Sequence, residues 1–158
     1  MEYPEHEKFS HEGVTQALLK GLEMAVEGDE TDSKYGWYNG LWFAVKDLGV
    51  QEAARALGPG RSTVAAHLDH VRLTLIYVRH ALAGEEYKAD WGSSWKIASP
   101  SEAQWEEIKT GFRQEYDALR QFIQSKPFWR EPGLTAAIHN IGHTAYHAGA
   151  VRQILKGT

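Results

Sequence analysis

Val64, Leu68, Val71, Leu75, Val78 and Leu82 return at alternating steps of four and three residues, and this spacing constrains the fold more than any other feature of the chain. Such steps place all six side chains on one stripe of an α-helix, which other helices must cover. Ser62 is a natural cap for this helix, which runs to about Leu82. Three more stretches carry the same period. Val14, Ala17, Leu18, Leu22, Ala25 and Val26 follow Ser10 as cap and stop at Gly28. Trp105, Ile108, Phe112, Tyr116, Leu119 and Ile123 lie on a helix from Glu102 to Ser125, capped by Ser99 or Ser101. A fourth helix spans about Leu134 to Lys156, with Gly157 past its end. No stretch alternates at period two, which argues against a sheet.

The expected fold is therefore all-α, a four-helix bundle, with residues 1–158 as a single domain and 83–101 as a long middle connection. Residues 1–9 read as a lead-in without regular structure. Between the first two helices, "YGWYNGLWFAV" and "VQEAARAL" predict one or two short extra helices near 35–57. Leu73 and Ile76 point away from the main stripe, a hint of a second buried surface such as a homodimer contact or a patch covered by the 35–57 segment.

Composition removes several classes of function. Lys and Arg number 17 against 21 Asp and Glu, a net charge of -4 that argues against a basic nucleic-acid face. The absence of cysteine rules out disulfides, thiolate metal sites and a cysteine nucleophile. The polar, acidic start and the lack of an apolar run near 18 residues predict a cytoplasmic protein without a membrane partner. Six tryptophans (Trp37, Trp42, Trp91, Trp95, Trp105 and Trp129) fall mostly in or beside connections. There they plug bundle ends and pin loops, or line an apolar pocket.

The fourth helix carries His139, His143 and His147 at intervals of four. At about 100° per residue, Ala136, His139, Asn140, His147, Ala150 and Ile154 all lie within roughly 60° of His143. The imidazoles thus share a face with small and apolar residues, where a core helix would carry leucine. On the second helix His67 lies about 60° from the stripe centre, His70 about 120°, and His80 about 160°, the last reading as exposed. His6 and His11 read as surface residues.

Buried imidazoles need partners at both ring nitrogens, since each unpaired buried polar group costs about 1–3 kcal/mol. A divalent cation meets that need by taking a lone pair while the other N–H finds an acceptor. His139 and His147 are about 12 Å apart along the helix and cannot share one ion. The expected ligand set is His143 and His147 with His67 from the second helix, and His70 as the rival to His67. Imidazole ligands suit zinc or nickel, and also copper or iron.

"HLDHV" in the second helix and "HTAYHAGAVRQIL" in the fourth resemble the DinB-like superfamily of bacterial four-helix-bundle proteins. "HEGVTQALLKGL" and "DWGSSWKIASPSEAQWEEI" extend the likeness over most of the chain. The resemblance implies a bundle with one long crossover connection, matching 83–101. It also implies a divalent-metal site on His67, His143 and His147, with Gly149 as the motif glycine, and for some members activation of a thiol cofactor. The chain departs from the pattern at "HAGA", where Ala148 and Ala150 replace an arginine and a glutamine common in the family. The 29–60 region is longer than the resemblance leads one to expect, and is a candidate cover for the metal pocket or a contact with another subunit.

Three neutral ligands leave an ion positively charged with a free position, the arrangement of a catalytic site. The expected activity is that of a metal-dependent hydrolase, or of a transferase acting with a low-molecular-weight thiol, on a small-molecule substrate. The competing class is a non-enzymatic, dimeric small-molecule binder with a structural or vestigial ion. His139, Asn140 and Tyr146 are the candidates for acid–base or orienting roles beside the metal.

Overall fold

The computed structural model describes residues 10–28 and 39–157, so the lead-in at 1–9, His6, and the stretch 35–38 with Trp37 lie outside the described residues. Among the described residues the chain forms α1 (His11–Val26), α2 (Leu41–Val45), α3 (Val50–Ala53), α4 (Val64–Ala83), α5 (Glu102–Ser125) and α6 (Glu131–Lys156), with no strand. A short 3-10 turn, Ser94–Lys96, interrupts the connection between α4 and α5. The fold is all-α, as the periodicity predicts, and the two short helices fall inside the 35–57 segment.

Local chemistry sets the helix ends. The Ser10 hydroxyl accepts from the Gly13 N–H at 3.0 Å and opens α1. Thr63, rather than Ser62, caps α4 by accepting from the Ala66 N–H at 3.1 Å. Ser101 and Gln104 form a reciprocal capping box at α5, which decides between the two candidate serines. Helix α6 begins at Glu131, ahead of the expected Leu134. Pro132 is tolerated in that first turn because its missing N–H would have had no partner there. Gly84 and Gly157, both at φ +75°, end α4 and α6 in left-handed turns.

The four long helices pack in a ring, with α4 against α5 and α6, and α1 against the same two. Arg72 lies at Gly111 and Arg79 pairs with Glu115 at 3.0 Å, so α4 and α5 run parallel. Leu82 lies at Gly133 while His67 meets His147, so α6 runs antiparallel to α4. Parallel neighbours need a connection that travels back along the bundle, and residues 84–101 supply that crossover.

All six stripe positions of α4 and all six of α5 are buried. Each large apolar side chain withdrawn from water contributes about 1.5–3 kcal/mol. In α1 the expected stripe needs one correction. Ala17 is exposed and Thr15 takes the inward place, because α1 turns that edge toward Trp129, whose Nε1 donates to the Thr15 hydroxyl at 2.9 Å. Trp105 is buried and donates to the Leu48 carbonyl at 2.7 Å. Two tryptophans therefore pin connections, as one sequence reading expects. Leu73 and Ile76 are half-buried. Helix α2 packs on α6 and α1, and α3 touches α4 and α5. No described helix is long and apolar enough to cross a membrane.

Candidate metal centre

The inward positions of α6 are Ala137, Asn140, Thr144, His147, Val151 and Ile154, spaced three and four apart. Three consecutive positions of that seam (Asn140, Thr144 and His147) are polar where a bundle would carry leucine. His143 sits at the edge of the seam, half-buried, and His139 one turn earlier is exposed. The wheel centred on His143 misplaced His139 because the seam is centred one residue further round, on Thr144. Tyr146 also points outward, at 69% exposure, although its ring meets His147 edge-on at 5.1 Å. Of the three candidates for acid–base or orienting roles, only Asn140 is buried.

Helix α4 answers with two histidines one turn apart, His67 and His70, both on the edge turned toward α6. The ring nitrogens of His70, His143 and His147 lie within 4.8 Å of one another, and this group can hold a metal ion. His143 Nε2 and His147 Nε2 are 3.1 Å apart. Two ligands of a tetrahedral zinc ion bonded at about 2.05 Å would be separated by about 3.3 Å, so the observed spacing suits such an ion. This group contains His143 and His147, both expected in the site, together with His70, the rival to His67.

His67 stands one ring further out. Its Nδ1 lies 2.8 Å from His147 Nδ1, on the far side of His147 from His143. The angular reading favoured His67 because it measured distance from the centre of the apolar stripe. That stripe is shared between α5 and α6, and reach toward an ion depends on where α6 lies, not on where the stripe is centred.

The crossover completes the surroundings. Ser94, 1% exposed, has its hydroxyl 3.1 Å from His70 Nδ1 and 3.2 Å from the Trp91 carbonyl. With Ser94 donating to that carbonyl, His70 Nδ1–H donates to Ser94 and the His70 Nε2 lone pair is left for a cation. Trp95 stacks on His70 at 4.2 Å and stands edge-on to His67 at 5.5 Å. Trp91 lies 5.9 Å from His70. Ser94 and Trp95 of the 84–101 crossover thus lie over this group. Trp91 and Trp95 lie against the histidine rings.

Burial keeps the rings neutral. His147 is pulled down to about 3, by burial first and then by His143, His67 and His70. Burial, followed by His143 and His67, pulls His70 down to about 4 against the opposing Asp69 carboxylate. Burial also lowers His67 and His143 below the ordinary 6.5. At neutral pH each ring therefore offers a lone pair, the form a metal requires. His143 Nδ1, both amide atoms of Asn140 and the Thr144 hydroxyl are buried without a partner. This donor set of neutral imidazoles, with an unpaired atom on one of them, fits a divalent ion.

The remaining histidines lie elsewhere. His11 is exposed, as expected. His80 is half-buried, contrary to the angular reading, because Glu85 pairs with its Nδ1 at 2.7 Å and Tyr87 stacks on its ring at 4.8 Å. No family model matches the chain, and no curated protein or solved structure is detectably similar to it.

Proposed function

We propose that this protein is a metal-dependent enzyme of the DinB-like kind, in which His70, His143 and His147 hold a divalent cation, zinc or nickel. The observation that carries this reading is the convergence of three neutral imidazoles, half-buried to buried, from α4 and α6. Three uncharged ligands leave an ion its full positive charge, and such an ion lowers the pKa of a bound water or thiol so that it acts as a nucleophile near neutrality. The protein's own side chains do the positioning. Ser94 fixes the tautomer of His70, His67 takes the Nδ1–H of His147, and Trp95 keeps bulk water off the rings. The motif likeness of "HTAYHAGAVRQIL" supports the same reading.

Elemental analysis of protein purified without a histidine tag tests it, with about one divalent ion per chain as the expected result. His70→Ala should empty the site, whereas His67→Ala should weaken metal affinity by about 10–100-fold, the usual cost of losing an outer hydrogen-bond partner. The opposite ranking would make His67 the third ligand. Turnover of an ester panel, set against a panel of electrophiles with common thiols, separates hydrolysis from thiol transfer. Loss of the fold on metal removal would mark the ion as structural and overturn the enzymatic reading.

A further inference from the structure

Beside the histidine group a cleft of about 920 Å³ opens between the start of α4 and the C-terminal half of α6. That volume lies within the range of about 300–1,000 Å³ typical of small-molecule sites. Leu57, Tyr146 and Ile154 give it apolar walls, and His67 lines it on the side of the metal centre. Leu57 and Tyr146 are 56% and 69% exposed, a large apolar area for a protein to leave in water without use.

Among the described residues the cleft carries one formal charge, that of Arg61; no described Asp or Glu lines it, and no described acid pairs with Arg61. A guanidinium without a carboxylate, set at the rim of an apolar hollow, is a ready fork for a planar anion. His67 adds a second donor. If His147 binds the cation through Nε2, its Nδ1–H donates to His67 Nδ1, and His67 must carry its own proton on Nε2. Every polar hydrogen so placed asks for an acceptor.

Gly149 explains how the space stays open. Glycine inside a helix costs about 1 kcal/mol relative to alanine, and a Cβ at Gly149 would meet nothing within 4 Å. Close packing therefore does not require it. A side chain there would project into the cleft that Gly149 lines.

We infer that this cleft binds a small carboxylic acid with an apolar body, its carboxylate held by Arg61 and its body lying along Tyr146, Leu57 and Ile154. The inference rests on the metal-dependent reading for its catalytic meaning, since it names the substrate class presented to that centre. Binding itself needs only the cleft.

Calorimetric titration with 4-phenylbutanoate and its neutral counterpart 4-phenylbutanol, on metal-free and zinc-loaded protein, tests it. The acid should bind both forms and bind more tightly than the alcohol. Arg61→Gln should weaken the acid by about tenfold or more while leaving the alcohol unchanged, the signature of one lost charge-assisted contact. Gly149→Phe should remove binding of both compounds, with metal content and melting temperature kept. Equal affinity for acid and alcohol, or an acid affinity untouched by Arg61→Gln, would overturn the inference, as would zinc-loaded protein that binds no acid. Acid binding that depends on Arg61 in a chain that takes up no metal would support the cleft and overturn the enzymatic reading. The two claims therefore fail separately.

Discussion

Helix α4 has two flanks, and they are built from different materials. Toward α5 it meets Ile108, Phe112, Leu119 and Ile123, all buried, and the polar margin is closed by Arg79 with Glu115 and by Arg72 with Asp69. Two atoms stay unpaired there, Arg79 Nε and the Tyr116 hydroxyl, but Arg79 still bonds Glu115 and the Tyr116 ring lies under Arg113 and Arg120. Toward α6 the same helix meets Asn140, Thr144 and His147. Four buried polar atoms within five residues of α6 have no partner on that side. One flank spends its surface on cohesion; the other keeps donors and lone pairs in a dehydrated space. Unpaired buried groups are costly, and they concentrate on the flank that carries the three histidines able to hold a metal ion.

The largest expected effect breaks the α6 flank alone. His147→Ala removes a ring that touches both His143 and His67. Metal affinity should fall by more than about a hundredfold, beyond the cost of losing an outer partner. Helical content by circular dichroism should be unchanged. Retention of a full equivalent of metal would refute the assignment of this residue.

The next breaks the α5 flank. Phe112→Ala opens a cavity at a fully buried site stacked on Trp42, and should cost about 3–5 kcal/mol in denaturant unfolding. The metal stoichiometry of the folded fraction should hold. If metal binding fell in step with stability at 25 °C, the two flanks would not be separable.

Acid sharpens the contrast. In the metal-free protein an unfolded histidine takes its proton near 6.5, while folded His70 and His147 resist until about 4 and about 3. The unfolded chain therefore binds more protons in that window, and stability falls as pH drops below about 6.5. Each such histidine contributes at most about 1.4 kcal/mol per pH unit. Unfolding midpoints from pH 7 to 4.5 should decline more steeply for the wild type than for His147→Phe. Parallel declines would show that the rings are not dehydrated.

The smallest expected change has the opposite sign. Thr144→Val replaces a buried, unpartnered hydroxyl with a methyl of the same shape and should stabilise the metal-free chain by about 1 kcal/mol. A loss of stability would mean that the hydroxyl has a partner after all.

Most of the helical plan was legible beforehand. The stripes of α4 and α5 matched the buried positions residue for residue, because a 3.6-residue period and the demand to hide apolar side chains act locally. The ends were legible to within a few residues, with Thr63 displacing Ser62 as cap and α6 starting at its proline turn. The site was legible only in part. His143 and His147 were found from their spacing, and Asn140 from its shared face with them. His139 was placed inward and is exposed, since one helix alone does not say which of two adjacent faces its neighbours cover. "HLDHV" offered two histidines at a spacing of three, and no local rule separates them.

The sequence by itself therefore determined four amphipathic helices, their punctuation, and a helix whose seam turns polar in its middle third. Only the tertiary structure decided that His70 closes the trio while His67 backs His147, and that the crossover brings Ser94 and Trp95 over them. The physical reason is one of range. Periodicity is set by contacts within a turn or two of helix, whereas the place where three ring nitrogens meet depends on the rotation and stagger of α4 against α6, which the whole core fixes together.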